Sequence, residues 1–361
     1  MRIGLIRRRF SASGGAELYV QRLVQGLIRK GHEPHLFAES WDGLCEGAVL
    51  HPVSVNGPRA TRCQIFAESV RVETGRASLD CVLSLERTLS QDVYRAGDGV
   101  HRVWLNRRRQ FSPWWKRPFI GLGEFHKNML ALEAQTLNPM NTRHIIVNSE
   151  MVRREIIEHH NFPEERIHLI RNGIDIEKVG RGNRSEARAA FGIRDNEFVV
   201  AFVGSGWERK GLHFLMNGLR RVMKFEPIRL LVVGKGTRPW GAPRGAIFTG
   251  PLSEVETAYA AADLFATLPM YEPSANVVAE ALAVGLPVVT SAQNGAAELL
   301  KPGVTGTVVD NPANNRAVER AVLEWFERRD EPRALPPDLD FLGIDRNVDE
   351  TLNLLLRLGN V

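Results

Sequence analysis

The sequence predicts an α/β protein with two similar, mostly parallel sheets, and three observations carry that prediction. Apolar runs of strand length alternate with segments whose apolar residues recur at helical spacing. The pattern begins at residue 2 and begins again near Phe198, so it occurs twice. A turn signal, Asn172-Gly173-Ile174-Asp175, separates the two occurrences.

Residues 2–6 (RIGLI) predict the first strand, and Val20, Leu23, Val24, Leu27 and Ile28 then form one face of a helix that stops at Gly31. Strands follow at residues 35–38, 82–85 and 168–170. In the second occurrence, FVVAFVGS reads as a buried strand, and Leu212, Leu215, Met216, Leu219, Val222 and Met223 as the next helical face. Residues 229–233 predict a strand. Ser253 with Glu256 three residues on predicts a capping box that opens a helix through Ala262, followed by a strand at 264–268. A helix over 276–284 closed by Gly285 and a strand at 287–290 complete the pattern. The expected domains are residues 1–172 and 173–330, with 331–361 as a Pro-rich connector and final helix.

Composition narrows the function classes. With 361 residues, 43% hydrophobic and 25% charged, the chain has ordinary globular make-up, which excludes disordered, collagenous and small disulfide-bonded classes. Its apolar runs are far shorter than the roughly 20 residues that a membrane span needs. The start, MRIGLIRRRF, places apolar residues before cations, the reverse of a secretory signal, and predicts a cytoplasmic protein. Cys45, Cys63 and Cys81 are too widely spaced for zinc or iron–sulfur ligation and read as reduced core thiols. The net charge of +5 is local: between Arg102 and Lys127 seven cations face one anion, Glu124.

Ligands of open α/β sheets bind beyond the carboxyl ends of the strands, so the loops there are where chemistry is expected. Ser13-Gly14-Gly15-Ala16-Glu17 precedes a helix, where bare amides and the helix dipole suit an anion, although a tight turn has the same composition. Gly204-Ser205-Gly206-Trp207-Glu208-Arg209-Lys210-Gly211 sets two cations at a helix start, a poor place for stability and a good one for a diphosphate. Gly234-Lys235-Gly236 is close-approach backbone suited to a flat ring or a simple turn. Glu272 and Glu280 flank a helix start eight residues apart, so sugar hydroxyls can meet the first, ribose hydroxyls the second and a diphosphate the amides between. Neither G-x-G-x-x-G nor G-x-x-x-x-G-K-[ST] occurs, which argues against nicotinamide enzymes and P-loop nucleotidases.

With its flanks, EPSANVVAEALAVGLPVV resembles the E-x7-E signature of retaining GT-B glycosyltransferases of family four. VGSGWERKGL is similar to that family's diphosphate-binding Arg-Lys segment, SGGAELYVQRLVQGLIRKGH to its first loop and helix, and RNGID to its interdomain linker. These matches run from the start to about residue 330. The resemblance implies a GT-B fold: two Rossmann-like domains facing across a cleft, with the C-terminal helix crossing back to the first. It also implies sugar transfer from a nucleotide diphosphate with retained configuration and without a metal or other cofactor. Motif order is most like the enzymes of lipopolysaccharide core synthesis, which makes glucose from UDP-glucose the expected donor and a lipid-linked acceptor, such as inner-core heptose, the expected partner.

Carried over by position, the resemblance makes Arg209 and Lys210 stabilise the leaving diphosphate, Glu272 hold sugar hydroxyls and Glu280 the ribose. Gly14 and Gly15 serve the phosphate or acceptor side, and Ser205, Gly234, Ser274, Ala275, Asn276 and Val277 complete the donor set. Asp98 faces the reacting sugar or takes the acceptor's proton, with His101 beside it on the acceptor or sugar. Where many relatives carry Phe-Gly after the Glu-Pro, this chain has Ser274-Ala275-Asn276, which puts donor identity in question; Asn is expected to tolerate a left-handed backbone there. Asp338-Leu339-Asp340 has the form of a manganese-binding D-x-D, but it follows Pro-Pro in the connector, so no metal site is expected.

The segment RVWLNRRRQFSPWWKRPF interleaves Trp104, Phe111, Trp114 and Trp115 with Arg107, Arg108, Arg109, Lys116 and Arg117. Aromatic rings beside cations favour an anionic membrane surface over a core face, and a core face over nucleic acid. The expected location is cytoplasmic, peripherally on the inner membrane. A different donor, GDP-mannose or UDP-GlcNAc, and a non-catalytic binder of sugar nucleotides or membranes are the alternatives. The intact Arg209, Lys210, Glu272 and Glu280 weigh against the last.

Overall fold

Runs of Val, Ile, Leu and Phe need cover on both faces, and in the computed structural model of the chain they occupy two parallel sheets flanked by helices. The structure describes residues 1–10, 15–41, 47–332 and 340–359. It divides into two compact units, Met1–Gly173 with Ile344–Val361, and Ile174–Gly343.

The first unit runs β1 (Arg2–Ile6), β2 (Arg9–Phe10), α1 (Gly15–Arg29), β3 (Glu33–Ala38), β4 (Ser40–Trp41), β5 (Val49–Pro52), α2 (Arg62–Arg76), β6 (Cys81–Ser84), β7 (Gln91–Arg95), α3 (His101–Phe111), α4 (Glu124–Thr136), β8 (Thr142–Val147), α5 (Glu150–His160) and β9 (Ile167–Leu169). Its seven-stranded sheet has the order β5-β3-β1-β6-β7-β8-β9, so the strand order reverses between β1 and β6. The predicted α1 stripe of Val20, Leu23, Val24 and Leu27 is buried against Ile3, Leu5 and Leu36.

The second unit runs α6 (Ile176–Val179), α7 (Arg184–Ala190), β10 (Phe198–Val203), α8 (Leu212–Phe225), β11 (Ile228–Val233), β12 (Ala246–Gly250), α9 (Glu256–Ala261), β13 (Leu264–Thr267), α10 (Asn276–Ala283), β14 (Val288–Ser291), β15 (Gly306–Val309) and α11 (Asn315–Glu327). Its six strands are ordered β12-β11-β10-β13-β14-β15, all parallel, with the reversal between β10 and β13. Every residue of β10 is buried, as its unbroken apolar run requires of a central parallel strand.

The final helix, α12 (Ile344–Gly359), belongs to the first unit, as the GT-B resemblance implies. It lies close against α1: a Cβ on Gly26 would come within 2.9 Å of Leu352 and 3.1 Å of Val348. The Tyr19 hydroxyl donates to Thr351 Oγ1 at 3.1 Å, and Arg22 pairs with Asp345 at 3.0 Å.

Three local expectations are corrected. The capping box does not form: α9 begins at Glu256 with Val255 at its N-cap and no side-chain cap, and Glu256 Oε2 is buried without a hydrogen-bond partner. Asn276 is not left-handed. It is the first residue of α10, and among the described residues the only non-glycine positions with positive φ are Ser78 and Asn161. Cys63 is half-buried rather than a core thiol; Cys81 is buried, and burial pushes its thiol up to about 12. Cys45, Gly14 and Asp338 lie outside the described residues.

Candidate functional site

In the second unit, the loops after β10 and β13 emerge side by side at the point where strand order reverses, the crevice that open α/β sheets use for ligands. Glycine lets the two backbones touch. Gly211, the N-cap of α8, has φ +74°, and a Cβ there would stand 1.6 Å from the Leu268 carbonyl oxygen. The Met270 amide donates to the Arg209 carbonyl at 3.0 Å, stitching the same two loops.

That scaffold gathers the predicted charges. Arg209 Nη1 lies 2.5 Å from Glu272 Oε2, a charge-assisted bond on a carboxylate whose side chain is only 14% exposed. Lys210 lies along Gly204, where an added Cβ would come 2.8 Å from Nζ. Burial lowers the Lys210 pKa, and the fields of Glu272 and Glu280 oppose it. Lys210 therefore feels both carboxylates of the E-x7-E signature. Glu280, the fifth residue of α10, accepts a bond from the Tyr259 hydroxyl at 2.6 Å. Burial raises its carboxyl above the ordinary range, while Tyr259, Lys210 and Lys178 act the other way.

The remaining donor-set residues frame this cluster. The Lys235 amide donates to Ser205 Oγ at 3.0 Å, and a Cβ on Gly234 would sit 2.2 Å from the Gly204 carbonyl. The flat ring against Gly236 is the chain's own Trp207 indole, whose Nε1 donates to Gly204 O at 2.9 Å. Ala275 N donates to Asn294 Oδ1 at 3.2 Å, and Ser274, Asn276 and Val277 are half-buried around the start of α10. Glu272 is fixed through its backbone, which exchanges bonds with Gln293 and Gly295 after β14. Trp207 and Asn294 were not identified from sequence. Trp207 sits in the quoted loop, but Asn294 carries no local signal.

In the first unit, Asp98 lies in the loop between β7 and α3, and His101 is the first residue of α3. Asp98 is 78% exposed and 4.0 Å from Arg87 Nη1. Its loop is held by Glu133 of α4, which is fully buried and accepts from the His101 amide at 2.5 Å, from the Arg102 amide at 3.3 Å and from Arg87 at 3.1 Å. Glu133 therefore does for α3 what an N-cap side chain does elsewhere, since Val100 supplies none. Burial works against the Glu133 carboxylate, but His160, Arg87 and the His101 amide outweigh it and hold the carboxyl below its ordinary value. Burial and Arg87 lower His101 to about 4, so its ring is neutral at neutral pH. Neither Glu133 nor Arg87 was legible in the sequence. Gly15 opens α1.

The basic aromatic segment divides into two parts. Trp104 is half-buried, stacked on His101 at 5.3 Å with Arg108 over its ring, and Phe111 is half-buried. Arg107, Arg109 and Arg117 donate to Gln110, to Ile120 O and to Ser112 O. The 3-10 turn Trp114–Phe119, which includes Lys116, has no buried residue; Trp114 is 76% and Trp115 56% exposed. Among the described residues, no helix is long and apolar enough to cross a membrane.

Comparison with known proteins agrees with this arrangement. Residues 197–328 match the model of group 1 glycosyl transferases, and residues 94–178 that of glycosyltransferase family 4. An uncharacterized glycosyltransferase of Methanocaldococcus jannaschii is 25% identical over 86% of both chains. A D-inositol 3-phosphate glycosyltransferase of a Mycobacterium species is 34% identical over 46% of this chain and 41% of its own. Among solved structures, WaaG, a glycosyltransferase involved in lipopolysaccharide biosynthesis, superposes with a TM-score of 0.75 at 19% identity, covering 99% of this chain and 97% of WaaG. Anabaena HepE, solved with UDP and glucose, superposes at 0.72 with 18% identity over 99% of both. The two matched segments carry the group 1 and family 4 glycosyltransferase patterns, and the chain has the GT-B fold.

Proposed function

We propose that the chain is a retaining, metal-independent hexosyltransferase that moves glucose from UDP-glucose onto a lipid-linked acceptor such as the inner-core heptose of lipopolysaccharide. The observation that carries the reading is Lys210, half-buried beside Arg209 and in the fields of both Glu272 and Glu280. Two fixed cations at the start of α8 stabilise the charge that develops on the diphosphate as its bond to the sugar C1 breaks, the electrostatic task that a metal ion performs in other transferases. Glu272 binds sugar hydroxyls while holding Arg209 in place, and Glu280 binds the ribose. The acceptor oxygen bonds to C1 on the face the diphosphate leaves, and its proton passes to the departing phosphate oxygen or to Asp98. UDP and glucose in HepE support the donor, and the role of WaaG in lipopolysaccharide biosynthesis supports the acceptor class.

In this reading the exposed Trp114 and Trp115, with Lys116, serve as a contact with anionic headgroups, and the enzyme works at the cytoplasmic face of the inner membrane; the exposure of the two indoles beside cations supports it. Replacing Trp114 and Trp115 by Ser is expected to reduce cosedimentation with anionic vesicles; unchanged cosedimentation removes the membrane role. The reaction is tested by nucleotide release from UDP-, GDP- and ADP-sugars, with and without heptose-terminated lipopolysaccharide, in EDTA. Acceptor-dependent release of UDP from UDP-glucose is expected. Release from another donor discards the proposed substrate, and no release from any donor leaves a binding protein.

A further inference from the structure

At the other reversal of strand order, between β1 and β6 in the first unit, the loops leaving the two strands open a cavity of about 530 Å³. Five arginines line it: Arg8, Arg9, Arg59, Arg62 and Arg87. Two carboxylates, Glu86 and Asp98, are in the same wall, so the lining keeps a clear positive excess. The arginines differ in how they are neutralised. Arg9 is bound by Glu39 through two bonds of 3.2 Å, Arg8 is 3.7 Å from the same carboxylate, and Arg87 is held by Glu133. Arg59 and Arg62 make no ion pair among the described residues, and Arg62 Nε donates to the Gly57 carbonyl at 3.3 Å.

Their position is costly. Arg62 is the first residue of α2, a 15-residue helix with no acidic residue in its first turn and no side-chain cap, and Arg59 precedes it by three residues. Cations there oppose the helix dipole, whereas an anion would be favoured by the dipole and by both guanidinium groups. Arg8 brings a third donor to the same wall, its Nη1 being 3.2 Å from Cys63 Sγ. Asp98, the residue placed beside the reacting acceptor above, lines the opposite charge of the same cavity.

We infer that this cavity is a phosphate subsite of the acceptor: the molecule that receives the sugar carries a phosphate ester, gripped by Arg59, Arg62 and Arg8, with its reacting hydroxyl towards Asp98. The inference rests on the glycosyltransferase reading for its link to an acceptor, but not for phosphate binding itself. A phosphate ester suits the site because its oxygens accept from several guanidinium groups at once. The phosphate can belong to a soluble sugar phosphate or to a lipid headgroup.

The test is calorimetric titration of the full chain with inorganic phosphate, glucose 6-phosphate and glucose, in saturating UDP so that the second unit's nucleotide site is filled. Wild type and Arg59→Ala/Arg62→Ala are compared, and UDP is titrated into each separately. Expected are saturable binding of both phosphates to wild type, at least about tenfold weaker binding to the variant, negligible binding of glucose and equal binding of UDP. Absence of phosphate binding, equal affinity in the variant, or glucose binding as well as its phosphate overturns the inference. Failure of both proteins to bind UDP, with phosphate binding intact, counts against the glycosyltransferase reading and leaves the anion site standing. Displacement of glucose 6-phosphate by vesicles of phosphatidic acid, but not of phosphatidylcholine, identifies a lipid-borne phosphate; displacement by neither identifies a soluble one.

Discussion

The two units build their sites by different means. In the second, the positions of Arg209, Lys210 and Glu272 follow from backbone contact between loops, made possible by glycine at 204, 211 and 234. In the first, Asp98 and His101 are placed by side chains distant in sequence, with Glu133 and Arg87 tying down their loop. A site made by backbone contact leaves a contiguous motif, whereas a site made by distant side chains does not. Paired glycines next to the two sites make the contrast testable. Gly211→Ala would drive a Cβ into the Leu268 carbonyl at a φ that alanine avoids, and a loss of about 4–5 kcal/mol in urea unfolding is expected. Gly97, the neighbour of Asp98, has nothing within 4 Å of its Cβ position, so Gly97→Ala should stay within about 0.5 kcal/mol of wild type. Equal costs would abolish the distinction.

The second prediction attacks the first unit where it is vulnerable. Glu133→Ala removes a fully buried carboxylate from Arg87 and from two helix amides, which leaves a guanidinium without its partner. A loss of about 3–5 kcal/mol is expected from denaturant midpoints. Glu280→Gln in the second unit keeps an acceptor for the Tyr259 hydroxyl and should cost less than about 1 kcal/mol. A mild Glu133→Ala would mean that the Asp98 loop holds itself.

Lys210→Ala separates chemistry from folding. A decrease in kcat of about 10²–10³-fold is expected, with an unchanged unfolding midpoint, because the residue's task is charge stabilisation at the diphosphate. Near-normal turnover would remove Lys210 from that role.

What could be read in advance follows the same division. The strands at 198–203 and 228–233, the α1 and α8 faces and the E-x7-E and Arg-Lys segments were all legible, because each is a local period or a contiguous motif. The capping box at Ser253 failed because a three-residue spacing does not reveal which residue becomes the N-cap; here it is Val255, which keeps a helical backbone and has no side-chain oxygen to offer. Asn276 was assigned a special backbone on composition, yet it simply opens α10. Glu133 lies 32 residues from the amide it caps, and the arginine cavity collects residues 8, 59, 62 and 87, so nothing short of the sheet order brings them together.

The smallest expected effect sets the two units against each other by sign. His101 is held at about 4, below its ordinary 6.5, so between those values the unfolded chain binds a proton that the folded ring refuses. Acidification through that window therefore costs stability, and His101→Gln should flatten the fall in Tm from pH 6.5 to 4. Glu280 has the opposite sign. Its carboxyl is raised by burial, so the folded state keeps a proton that the unfolded chain has released, and stability falls as pH rises above the ordinary carboxylate range. Glu280→Gln should flatten that alkaline-going slope and leave the His101 window untouched. If either substitution altered the other's slope, the two sites would share one electrostatic environment, and the contrast between a unit ordered by backbone contact and one ordered by buried charge would not hold.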